Sequence, residues 1–145
     1  MNNTVFLASD HAGFNVKELC SKELKSLGLE VKDLGPETDD RVDYPDFADK
    51  VCQEVINNSA RGLLICGSGQ GMSMRANKYS QIRAALCWNQ QSAELSRQHN
   101  NANVLCIGAR LLTEETIISI LKAFFNTEFE GGRHQARVEK ISSPL

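Results

Sequence analysis

Apolar residues fall along this chain in two alternating kinds of run. Short, nearly continuous runs at Thr4–Ala8, Leu29–Asp33, Gly62–Cys66, Arg83–Cys87 and Asn103–Ile107 have the length and β-rich content of strands. Between them, apolar positions recur every three to four residues, which puts them on one helix face. Val16, Leu19, Cys20, Leu24 and Leu27 mark a first helix, with Gly28 placed to stop it. Ala48, Val51, Cys52, Val55 and Ile56 mark a second. A short third helix is predicted from the glycines after Cys66 through about Tyr79, and a fourth from roughly Gln90 to Gln98. The fifth starts at Thr113, an N-cap with Glu114 and Glu115 favouring the dipole, and carries Ile117, Ile118, Ile120, Leu121, Phe124 and Phe125. Beyond the break at Glu130-Gly131-Gly132, a polar tail from Arg133 is expected to form one more helix with Val138 and Ile141 inward.

Strands that alternate with helices predict a parallel sheet covered on both faces. The fold class expected is therefore α/β: a Rossmann-like three-layer α/β/α arrangement with a five-stranded parallel sheet and a C-terminal helical extension. The 145 residues are about one domain's worth, enough to bury a core without staples, so residues 1–145 read as one domain. No repeat or linker interrupts them.

Sixteen Lys and Arg against 18 Asp and Glu leave a formal charge of -2, which argues against a nucleic-acid or acidic-membrane partner. The amino terminus has no basic leader, and no apolar stretch approaches the ~18 residues a bilayer span needs, so a cytoplasmic location is expected. Five cysteines, Cys20, Cys52, Cys66, Cys87 and Cys106, are odd in number and form no CxxC pair. They read as reduced thiols, with neither a disulfide framework nor a zinc site.

In an open parallel sheet, ligands bind beyond the carboxyl ends of the strands. Ser9-Asp10-His11-Ala12-Gly13, Cys66-Gly67-Ser68-Gly69-Gln70-Gly71 and Gly108-Ala109-Arg110 all follow strands. The glycine run lacks the third glycine of GxGxxG, because Met72 stands there, and no GxxxxGK is present, so dinucleotide or triphosphate binding is poorly supported. Three glycines spaced two apart instead let backbone N–H groups converge on one anionic point, directly after a thiol. Such a nest suits a small oxyanion developing on a carbon acid, as in enolisation of a carbonyl compound. Cys20, Cys52 and Cys106 read as buried packing. Cys66, beside amides and the start of a helix, is expected to have a lowered pKa and to favour thiolate.

All three histidines, His11, His99 and His134, lie in junctions beside Asp, Asn, Gly or Arg. Singly, His134 reads better, and His99 equally well, as a solvated surface group or a helix C-cap; together the three favour a site. Arg133 and Arg137, four apart, would share a helix face and repel unless an anion lies between them. With His134 and Arg110 they suit a phosphate monoester, the alternative being a solvated basic tail.

Five segments in order resemble one family across nearly the whole chain: Ser9-Asp10-His11-Ala12-Gly13-Phe14, Asp43-Tyr44-Pro45, Ile65-Cys66-Gly67-Ser68-Gly69-Gln70-Gly71 with Ala76-Asn77-Lys78, Ser96-Arg97-Gln98-His99-Asn100, and Gly131-Gly132-Arg133-His134-Gln135. That family is ribose-5-phosphate isomerase B with the related galactose-6-phosphate isomerase subunits. The resemblance implies a metal-free, cofactor-free aldose–ketose isomerase of the pentose phosphate pathway that interconverts ribose 5-phosphate and ribulose 5-phosphate through a cis-enediolate. It implies that Cys66 is the base moving a proton between C2 and C1, and that His99, with Asp10, opens the furanose ring. Ser68, the amides of Gly67, Gly69 and Gly71, and Asn100 would hold the enediolate oxygens, and Tyr44 would line the substrate site. Arg110, Arg133 and Arg137, helped by His11 or His134, would hold the phosphate.

The resemblance also implies a homodimer or homotetramer with shared sites, in which the tail at about 131–145 packs on a partner subunit. The chain departs from the family pattern at Arg75, usually small or apolar, and at Ala136, commonly arginine. Arg75 is expected to alter the field of the glycine loop or the sugar preference. Two other readings stay open: a hexose 6-phosphate isomerase of the allose or galactose type, and a non-catalytic phospho-sugar sensor.

Overall fold

The computed structural model describes residues 2–145. Its strands are β1 (Thr4–Ser9), β2 (Glu30–Asp33), β3 (Arg61–Cys66), β4 (Ala84–Leu86) and β5 (Val104–Gly108), joined in one sheet of order β2-β1-β3-β5-β4. Every pairing is parallel. The helices are α1 (Phe14–Ser26), α2 (Tyr44–Asn58), α3 (Gln70–Ala76), α4 (Gln90–Asn100), α5 (Glu114–Asn126) and α6 (Gln135–Ile141), the last preceded by a 3-10 turn at Gly132–His134.

Side-chain alternation along the strands produces the three layers. Val5, Leu7, Leu63, Ile65, Leu105 and Ile107 face one way and pack with residues of α1, α4 and α5. Phe6, Ala8, Leu64, Cys66, Val104 and Cys106 face the other way and pack with α2 and α3. All six residues of β3 are buried, which explains why its sequence runs apolar without alternating.

Sequence and structure differ most at the edges. The third helix stops at Ala76 instead of Tyr79, because the Asn77 amide takes over the backbone of Ala84: Asn77 Nδ2 donates to its carbonyl at 3.0 Å and Asn77 Oδ1 accepts its N–H at 2.8 Å. The fourth strand is three residues long, Ala84–Leu86, and leaves out Arg83 and Cys87. In the tail, Val138 is buried but Ile141, expected inward, is 54% exposed, since so short a helix tucks only one position under itself. Elsewhere the local chemistry acts as read. Gly28, at φ +83, ends α1 with its N–H on the Lys25 carbonyl and the Leu29 N–H on that of Leu24. Thr113 Oγ1 accepts the Thr116 N–H at 3.2 Å.

The chain leaves β1 toward one edge to make β2 and returns to the opposite side of β1 to make β3. Strand order reverses between β1 and β3, and their helices diverge there to leave a crevice at the carboxyl ends. Ser9-Asp10 and Cys66-Gly67 meet at that point, where the Asp10 N–H donates to the Ile65 carbonyl at 3.0 Å.

Candidate active site

Cys66 is the last residue of β3 and only 5% exposed. The Gly69 N–H donates to its Sγ at 3.2 Å, closing the glycine loop around the sulfur. Gly69, at φ +78, has no room for a side chain: a Cβ there would lie 2.6 Å from Leu86 Cδ1 and 2.9 Å from the Ile107 carbonyl carbon. Gly69→Ala is therefore expected to cost about 2–4 kcal/mol through left-handed strain and overlap. In thermal melts this lowers Tm by roughly 5–10 °C.

The end of β5 folds over the same loop. The Ala109 N–H donates to the Cys66 carbonyl at 2.8 Å and the Arg110 N–H to that of Gly67 at 3.0 Å, laying the Arg110 side chain across Gly67. Tyr44, at the start of α2, rests its ring against Gly71. Asp10 is buried, with Oδ1 accepting the Gly13 N–H at 3.0 Å. The neighbouring His11 accepts the Val42 N–H on Nδ1 through a long, 3.5 Å contact, two residues before Tyr44. Asp10, His11, Tyr44, Cys66, Gly67, Ser68, Gly69, Gly71 and Arg110 thus gather at the carboxyl edge of the sheet.

The Cys66 thiol departs from expectation. Its pKa is raised from 9.0, not lowered, because burial against the apolar layer outweighs the pull of the Met72, Gly69 and Ser68 amides, and the Asp10 charge pushes the same way as burial. The other thiols are held up more firmly. Burial pushes Cys20 and Cys52 to about 12 and Cys87 to about 11, and raises Cys106 well above 9.0. Cys66 alone has backbone amides opposing that effect.

The remaining candidates lie elsewhere. His99 and Asn100 close α4, which runs back from the carboxyl edge and ends at the amino-terminal edge. There Arg83, just before β4, donates from Nε to the carbonyls of Asn100 (3.2 Å) and Asn101 (3.0 Å). The tail starts at the same edge, tied to α4 by the Glu130 N–H on the Gln98 carbonyl at 3.1 Å. The His99 and His134 rings stack at 4.3 Å with a 15° interplanar angle, and Glu130 Oε1 lies 3.6 Å from His99 Nε2 and 3.8 Å from His134 Nε2. Burial, then the Arg133, His99 and Arg137 charges, lower the His134 pKa against the opposing pull of Glu130. Arg133 and Arg137 are exposed, with Arg137 Nη1 donating to the Arg133 carbonyl at 3.4 Å.

Two groups therefore form, separated by the length of β5, whose five residues at about 3.3 Å each span at least about 13 Å. One chain brings neither His99, Asn100, Arg133, His134 nor Arg137 to Cys66. Sequence reading passed over the residues that fix the second group. Arg97, 1% exposed, donates to the carbonyls of Thr127 (3.1 Å) and Ala102, clamping the end of α4 to the start of the tail. Its sequence signal was an arginine on the buried Ala93-Ser96-Arg97 face; for Glu130 it was the four-residue spacing to His134. Arg75 does not face the glycine loop: it grips Asp49 through Nε (2.8 Å) and Nη2 (2.9 Å), and Tyr79 donates its hydroxyl to the same carboxylate at 2.7 Å.

The glycine-ringed cysteine stands at the switch point of a parallel α/β fold, and comparison with known proteins places the protein among the aldose–ketose isomerases. The chain belongs to the ribose/galactose isomerase family, whose family model matches residues 5–141. Ribose-5-phosphate isomerase B of Escherichia coli is 44% identical over 135 residues, 92% of this chain and 91% of that protein. Among solved structures, the ribose 5-phosphate isomerase of Thermotoga maritima superposes with a TM-score of 0.92 at 46% identity, covering 96% of this chain and 97% of the other. Ribose-5-phosphate isomerase B of Mycoplasma genitalium, solved with bound ribulose-5-phosphate, gives 0.91 at 46% identity, covering 96% and 93%. Among the described residues no helix is long and apolar enough to cross a membrane.

Proposed function

We propose that this protein interconverts ribose 5-phosphate and ribulose 5-phosphate through a cis-enediolate, with Cys66 as the base, at a site completed by a second copy of the chain. The observation that carries this reading is the Cys66 sulfur at the switch point, in contact with the Gly69 amide. The 44% and 46% identity to enzymes named for this substrate, one of them holding ribulose-5-phosphate, supports the choice of sugar.

His99, with Asp10, opens the furanose ring. The Cys66 thiolate then takes the proton from C2 of the open aldose, and the negative charge spreads onto the oxygens of the enediolate. Ser68, the amides of Gly67, Gly69 and Gly71, and Asn100 hold those oxygens. The proton now on sulfur returns to C1 as the hydroxyl proton passes between the two oxygens, leaving the ketose and the free thiolate. Tyr44 covers the loop beside the sugar, and Arg110, Arg133 and Arg137, with His11 or His134, hold the phosphate.

The separation of the two groups supports a shared site, because one chain supplies the base at one sheet edge and the ring opener at the other. Burial disfavours the Cys66 thiolate in the single chain, and cationic groups from a second chain would draw that pKa back down. The exposed Ile141, Pro144 and Leu145 give the tail an apolar end suited to packing on the partner.

Purified protein is expected to turn over ribose 5-phosphate in preference to allose 6-phosphate or galactose 6-phosphate, and preference for either hexose would overturn the pentose assignment. Arg137→Ala is expected to raise KM about tenfold or more with a smaller change in kcat, the loss of a charged hydrogen bond to phosphate being about 1.5–3 kcal/mol. An unchanged KM would remove Arg137 from phosphate binding.

A further inference from the structure

The His99, Glu130 and His134 side chains converge in a way the isomerase chemistry does not require. Their ligand atoms all lie within 4.8 Å of one another, and two of the three separations are 3.6 and 3.8 Å. A tetrahedral transition-metal ion with ligands at about 2.0–2.2 Å needs its donor atoms roughly 3.2–3.6 Å apart. The His99 and His134 rings stack at 15°, which sets their nitrogen lone pairs side by side, so closing the site takes a turn of His99 out of the stack together with a shift of Glu130, and both groups have the exposure to move. His99 and Glu130 are 38% and 51% exposed, whereas His134, at 9%, is the fixed member. The backbone behind them is already tied together through the Glu130 N–H on Gln98. We infer that His99, Glu130 and His134 form a site for a borderline-soft divalent ion such as Zn2+ or Co2+, and that occupancy of this site inhibits the enzyme.

Two imidazoles and one carboxylate are a donor set that suits such ions over Mg2+ or Ca2+, and the fourth position stays open to water or an anion. Arg133 and Arg137 oppose a cation here and favour an anion in that open position. Inhibition follows because a metallated His99 nitrogen cannot exchange a proton with the sugar ring oxygen. The ion plays no part in turnover. The binding half of this inference stands on the geometry alone; the inhibition half rests on the role proposed for His99.

The experiment uses the full chain carrying Cys66→Ala, so that the active-site thiol cannot be the ligand, and titrates it with Co2+ while the visible d–d bands are followed. The expected result is saturable binding of one ion per chain, with tetrahedral or five-coordinate bands and no new thiolate charge-transfer band in the near ultraviolet. Adding Glu130→Gln or His134→Asn should weaken binding at least about tenfold, since even changes outside the ligand shell cost 10–100-fold. No saturable band, or equal affinity in both added variants, would overturn the site. Separately, Zn2+ should inhibit ribose 5-phosphate turnover by the unmodified enzyme and EDTA should restore it. Binding without inhibition would leave the site standing and overturn its inhibitory role together with the part assigned to His99.

Discussion

Cys66→Ala is expected to lower ribose 5-phosphate turnover by about 10²–10⁴-fold, the usual cost of removing a positioned base, with KM little changed. The fold should survive. The sulfur occupies a small, 5% exposed position at a strand end, it accepts the Gly69 N–H, and the loop is also held by Ala109 and Arg110. Circular dichroism and melting would therefore match the parent closely while the kinetic assay does not. Turnover near the parental value would take Cys66 out of the reaction.

The pH profile supplies a second reading of the same group. Burial holds the free thiol above 9.0 in the isolated chain, so the active thiolate becomes more abundant as pH rises, and kcat/KM should climb on the alkaline side of neutrality. Where that limb bends in the assembled enzyme reports how far neighbouring cations draw the thiol down. The residual activity of Cys66→Ala should lack this limb.

Mixing two inactive variants should restore activity. Cys66→Ala and His99→Asn each spoil every site when alone. In a mixed dimer with shared sites, one site collects both defects and the other collects none. Co-refolding equal amounts should then recover about a quarter of parental activity, because half of the dimers are mixed and each has one intact site out of two. Were the base and the ring opener from a single chain brought together by some rearrangement, every site would carry one defect and nothing would return. The placement of Cys66 at the end of β3 and His99 at the end of α4, on opposite sheet edges, is what makes these outcomes differ.

Much of the architecture could be read from spacing. The alternation of strand-length runs with helical faces identified the layers, and the rule that ligands gather beyond strand carboxyl ends pointed to Asp10, Cys66 and Arg110. Spacing did not reveal that His99 and Arg137 sit across the sheet from them, since helix periodicity says which face is buried but not which edge a helix end reaches relative to a distant loop. The Cys66 pKa was misjudged for a related reason. Amides near a thiol are visible in sequence as glycines, whereas the depth of burial that outweighs them depends on the whole apolar layer of Phe6, Ala8, Leu64 and Val104. Ile141 and the end of α3 were decided by single contacts, such as that of Asn77 with Ala84, that no periodic pattern records.

The grip of Arg75 on Asp49 and Tyr79 bears on how a doubly charged sugar would approach. A free guanidinium on α3 would compete for the phosphate group and present the wrong end of the molecule to the sulfur. Neutralised by its own carboxylate, Arg75 exerts little long-range attraction, so in the shared site proposed above the steering field would come from Arg110 together with Arg133 and Arg137 of a second copy. On that proposal an incoming molecule would be captured by its anionic tail and swing its carbonyl head toward the glycine loop.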